Sequence, residues 1–122
     1  MKKFVGKHVV IAALSGIAGL AASAHAADVV GNAKAGQGKV AMCIGCHGIP
    51  DYRTAYPEVY RVPILGGQNA AYLINALHAY KKGDRHFDTM RAIAGSLSDQ
   101  DIADIAAYYA AQTPTSKNNP DK

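Results

Sequence analysis

The chain has 122 residues, 49% of them hydrophobic and 18% charged, with 12 Gly, 2 Cys and no Trp. That leaves room for one small domain and none for a two-domain enzyme, and the apolar content excludes a disordered or low-complexity chain. The formal charge of +4 points toward anionic partners only if it is spread over the whole chain, and it is not.

The first 26 residues differ in kind from the rest. Lys2, Lys3 and Lys7 make a basic start, Val9 to Ala22 is an uncharged run of small and apolar residues, and Ala24-His25-Ala26 places small residues where a signal peptidase reads. This predicts a secretory signal over residues 1–26 with cleavage after Ala26, a domain over 27–114 and a polar tail over 115–122. The apolar run falls short of the ~20 residues that cross a bilayer as a helix, so an uncleaved anchor is the weaker alternative. The signal carries three of the 13 basic residues and no acid, which leaves ten basic against nine acidic residues and a net charge of +1. Such a balance cannot neutralise many phosphates, and nucleic acid is dropped as a partner.

After the signal, a helix is expected from Ala33 to Met42, behind Asn32 as cap. Gly36 and Gly38 would each cost about 1 kcal/mol against Ala in its interior. Gly36, Val40 and Cys43 share one face, so a second helix should cross closely there.

Residues 43–47 read Cys-Ile-Gly-Cys-His, the attachment sequence of c-type haem. Two thiols one helical turn apart can each add to a vinyl group of one porphyrin, while the imidazole of His47 reaches the iron as proximal ligand. In an exported chain a cysteine pair is ordinarily a disulfide, but a bridge across so short a loop constrains little. A thioredoxin-like pair would follow a strand, and nothing before Cys43 reads as one. Long polar loops fill residues 48–66, so a haem would supply core that the side chains do not, and the apo-protein should be poorly folded.

A middle helix is expected from Ala70 to Lys82, capped by Asn69, with Leu73, Ala76, Leu77 and Tyr80 on one face and Gly83 beyond its end. The last helix opens at Ser98-Asp99-Gln100-Asp101, carries Ile102, Ile105, Ala106 and Tyr109 on one stripe, and ends before Pro114. Thr115 to Lys122 is polar and reads as a disordered tail. No strand pattern appears, so the fold class is all-α.

For the iron's sixth position the sequence offers Met42, Met90, His78 and His86. Met42 abuts Cys43 and cannot reach round the porphyrin. His78 lies off the Leu73/Leu77 stripe and is expected at the surface. Met90 falls in a loop between the middle and last helices, far enough from His47 to close over the opposite face. It is preferred, with His86 and an open iron as alternatives, because thioether with imidazole is the pairing used by cytochromes c. Such ligation leaves no vacancy for oxygen chemistry and makes an electron carrier.

These residues resemble the class I cytochromes c, above all the small bacterial periplasmic branch whose members occur with one haem or as tandem two-haem proteins. The resemblance runs through Ala35 to Lys39, Cys43 to Gly48, Pro63 to Gln68, Thr89-Met90, Leu97 to Ile102 and Ala107 to Tyr109. It implies three main helices and loops wrapped around one covalent haem c, held by thioethers at Cys43 and Cys46 and by His47 and Met90 on the iron. It also implies that the carbonyl of Pro63 accepts the Nδ1–H of His47, and that Gly36 packs against Tyr108 or Tyr109. One attachment motif implies one haem, as in one half of a tandem protein.

The segment Asp51 to Arg61, with Tyr52, Tyr56 and Tyr60, is longer and more aromatic than the resemblance leads one to expect. It is either a loop over a haem edge or a docking element. Two functions stand: a monomeric periplasmic carrier of single electrons between redox proteins, and the cytochrome subunit of a periplasmic dehydrogenase. Neither is itself an enzyme, and each meets a membrane only through partner complexes or an uncleaved signal. Lys81, Lys82, Arg85 and Arg91 against Asp99, Asp101 and Asp104 predict a dipolar surface suited to transient encounters.

Overall fold

The computed structural model describes residues 29–113 and Ser116. The expected signal and, apart from Ser116, the expected tail lie outside the described residues. The elements run α1 (Ala33–Gln37), α2 (Ala41–His47), β1 (Arg53–Thr54), β2 (Tyr60–Arg61), α3 (Ala70–Lys82), α4 (Asp88–Gly95) and α5 (Asp99–Ala110). The described residues are mostly helical as expected, with five helices where three main ones were predicted. Among the described residues no helix is long and apolar enough to cross a membrane.

The predicted helix from Ala33 to Met42 is two helices. Asn32 caps α1 through its side-chain oxygen, which accepts from Ala35 N at 3.0 Å. Gly38 ends α1, its N–H turning back to Ala35 and Gly36. The chain then restarts at Val40, so Gly38 never bears the cost of a helix interior. This break lets α1 lie along α5 while α2 turns its cysteines toward the centre.

Gly36 is buried, and a Cβ there would stand 2.1 Å from the Asp104 carbonyl oxygen and 2.8 Å from Tyr108 Cβ. Tyr108, not Tyr109, is therefore the aromatic at this crossing. Gly31 makes a second close approach, with the Ala103 carbonyl oxygen 2.1 Å from its would-be Cβ. Beside these contacts the Asp104 carboxylate, 4% exposed, accepts from Asn32 N at 2.7 Å, Lys39 Nζ at 2.7 Å and Gln100 Nε2 at 2.9 Å.

Helix α3 has the predicted ends. Asn69 accepts from Tyr72 N, and Gly83 closes the helix at φ +89°, a conformation that costs glycine little. Helix α5 opens with a reciprocal capping box between Ser98 and Asp101. Its stripe is buried as predicted: Ile102, Ile105, Ala106 and Tyr109 join Val40, Leu73 and Leu97 in the core.

Two further elements depart from expectation. Residues 88–95 form α4 rather than a loop, because Asp88 favours the helix start and Met90, Ile93 and Ala94 fall on one face. The Asp51–Arg61 segment contains a short antiparallel pair, Arg53 opposite Arg61 and Thr54 opposite Tyr60. Thr54 Oγ1 donates to the Glu58 carbonyl at 3.0 Å, an Arg61–Asp51 ion pair closes the base, and Val62 N donates to Tyr52 O at 2.9 Å. Two-residue strands are too short to show an alternating pattern.

Candidate functional site

Helix α2 places Cys43, Cys46 and His47 one turn apart on the wall of a single cavity, and α4 brings Met90 to the same cavity. Met90 is thus held on a helix instead of in the predicted loop. The remaining wall is largely apolar, from Val62 and Leu65 through Leu73 and Leu77 on α3 to Ile93, Leu97 and Ile105. A concave wall of this lining suits a mostly apolar group.

His47 is buried, and its Nδ1 lies 2.7 Å from the carbonyl oxygen of Pro63. A carbonyl only accepts, so Nδ1 carries the proton and Nε2 carries the lone pair a metal requires. Burial pulls the imidazole below its ordinary pKa, with the Pro63 hydrogen bond opposing, so the ring is neutral at neutral pH. The two cysteines are not bonded to each other, and burial pushes the Cys43 thiol up. The loop that carries Pro63 is fixed downstream by Gly67 N, which donates to the Tyr109 carbonyl at 2.9 Å.

Of the other sequence candidates, Met42 also lines the cavity but is half exposed on α2, beside the cysteines. His78 and His86 are absent from the lining. His78 is partly exposed, with Nδ1 4.0 Å from Asp99 Oδ1. Lys81 explains that corner, donating to Leu97 O at 2.6 Å and standing 3.5 Å from Asp99.

The predicted acidic pole is largely neutralised. Lys39 Nζ lies 2.7 Å from both Asp101 and Asp104, and Asp99 faces Lys81. Lys82, Arg85 and Arg91 stay exposed, so the surface is less dipolar than the charge order implied.

Sequence reasoning missed two features of the cavity. At its rim Arg85 lies 4.8 Å over the Tyr80 ring and 3.4 Å from Tyr72 Oη. Inside, Tyr109 is fully buried, and its hydroxyl finds no hydrogen-bond partner among the described residues, while Cys43 packs against the same core cluster. The helical stripe marked Tyr109 as core. It carried no signal that the hydroxyl faces a cavity.

The sequence profile of the family Cytochrome c matches residues 33–111. The chain is 46% identical over 94 residues to cytochrome c4 of Pseudomonas aeruginosa, covering 77% of this chain and 43% of that protein. It is 44% identical over 85 residues to cytochrome c-554(548) of Halomonas halodenitrificans, covering 67% of this chain and 98% of that protein. Among solved structures, that of reduced recombinant cytochrome c4 from Pseudomonas stutzeri superposes with a TM-score of 0.56 at 40% identity, over 69% of this chain and 47% of the other. The chain thus spans less than half the length of these cytochromes c4 and nearly all of the Halomonas protein.

Proposed function

Since the chain belongs to the class I cytochromes c and is a c-type electron-transfer protein with covalent haem c, we propose that it carries single electrons in the periplasm on one haem with His47 and Met90 as axial ligands. The observation that carries this reading is the meeting of Cys43, Cys46, His47 and Met90 on one cavity wall, with His47 oriented by Pro63. The single attachment motif, Cys43 to His47, supports one haem in this chain.

When bound, haem supplies a one-electron ferric/ferrous couple. The thiols of Cys43 and Cys46 would hold it through two thioether bonds to its vinyl groups. Pro63 holds His47 in the tautomer that presents Nε2 and makes it a better donor. Met90 would supply a thioether to the iron, a donor that favours the reduced state relative to a second imidazole and would leave no site for oxygen. Leu73, Leu77 and Ile105 keep water from the buried faces.

The second reading, a cytochrome subunit of a periplasmic dehydrogenase, draws on the Asp51–Arg61 hairpin. Tyr56 and Val59 are 79% and 73% exposed, and Tyr60 packs its ring 5.3 Å from Phe87 at the cavity rim. A fixed partner would cover such an apolar edge. Gel filtration of periplasmic extract, followed at the haem absorbance, separates the readings: a carrier elutes at the size of one small domain, and a subunit elutes with a larger enzyme. Absence of the protein from the periplasmic fraction contradicts both.

A further inference from the structure

We propose that the Tyr109 hydroxyl is a hydrogen-bond donor to the sulfur through which Cys43 is linked to the haem, and that this contact raises the reduction potential. The proposal rests on the haem reading above and adds a residue to it.

Tyr109 is fully buried on α5 and lines the same cavity as Cys43. Its position is fixed from two sides: its carbonyl accepts from Gly67 N, and its ring meets the edge of Tyr108 at a centroid distance of 5.2 Å. No described residue completes a hydrogen bond to Oη. A buried hydroxyl without a partner is unfavourable, and a phenylalanine would fill the same space without that penalty. Cys43 lines the same cavity and packs against the core cluster to which Tyr109 belongs, and its sulfur keeps weak acceptor capacity as a thioether. Attachment of the haem holds that sulfur in place.

A phenol aimed at the sulfur turns the positive end of its O–H dipole toward the macrocycle. The oxidised centre carries one more positive charge than the reduced one, so this orientation disfavours oxidation. Hydrogen bonds to the atoms around a redox centre are an established means of tuning its potential.

The test is Tyr109→Phe in the haem-loaded protein, with attachment first checked by the pyridine haemochrome spectrum. The variant should show a lower midpoint potential and a shifted C–S stretching band in the resonance Raman spectrum. In the unsubstituted protein the same band should move on transfer to D2O. An unchanged potential with an unchanged, deuterium-insensitive band overturns the proposal. A lower potential with an unmoved band overturns its assignment to the Cys43 sulfur. A haemochrome spectrum lacking thioether-linked haem in both proteins overturns the haem reading itself.

Discussion

Gly36 in α1 lies against the main-chain carbonyl of Asp104 in α5 so closely that a Cβ would stand 2.1 Å from its oxygen. The carbonyl is backbone and cannot swing aside, so Gly36→Ala must push α1 away from α5. The helix-propensity gain of about 1 kcal/mol is outweighed by overpacking, for a net loss of about 1–3 kcal/mol in denaturant unfolding of the holoprotein. Gly95, which faces open space at the end of α4, is the control: Gly95→Ala should be neutral or stabilising by up to about 1 kcal/mol.

The ion cluster of Lys39 with Asp101 and Asp104 should shape stability against pH. Hydrogen bonds from Lys39 hold both carboxyls below their ordinary range. A carboxyl with a depressed folded pKa stabilises fully above its unfolded value of 3.8, and that contribution is lost as pH falls through the folded value. Lys39 is shifted upward by the same contacts, so its contribution is present below 10.5 and is lost as pH rises beyond the folded value. Unfolding curves across the pH range should show Lys39→Met nearest to the unsubstituted protein at both extremes and furthest from it between about pH 5 and 9. A difference between the two that does not vary with pH would contradict the linkage.

Met90→Ala should abolish the weak near-infrared band of thioether on ferric iron and lower the midpoint potential, while leaving the covalent attachment intact. Binding of added cyanide or imidazole should become faster because the sixth position is vacated. A variant that keeps the band would assign the ligand elsewhere.

Replacing Cys43 and Cys46 together by Ala should leave a chain with helical far-UV signal much reduced and no cooperative thermal transition. The core side chains Val40, Leu73, Leu97 and Ile105 all border the haem cavity or pack beside it. Without the group they border, the apolar wall of Leu73, Leu77, Leu97 and Ile105 is left facing water.

The sequence was most legible where local chemistry decides the structure. Asn69 and Gly83 set the ends of α3, and Ser98 with Asp101 sets the start of α5, because caps are satisfied within a few residues. The attachment motif was readable because its spacing is chemical, and Met90 lines the same cavity as the motif's residues. Helix α4 was not, since Phe87 offers no side-chain cap and only two turns of periodicity are present. The break at Gly38, the Asp104 clip and the orientation of the Tyr109 hydroxyl depend on where α1 and α2 meet α5. Such contacts span some 65 to 72 residues of sequence, as Lys39 and Asn32 to Asp104 illustrate, and no local pattern encodes them.

Covalent attachment at Cys43 and Cys46 is tested most directly by the mass of the purified protein after extraction with acidified acetone. The chain should retain its colour and weigh more than the polypeptide by one haem, with both cysteines blocked to alkylation. A colourless chain of polypeptide mass with two alkylatable thiols, its pigment left in the acetone, would contradict the account.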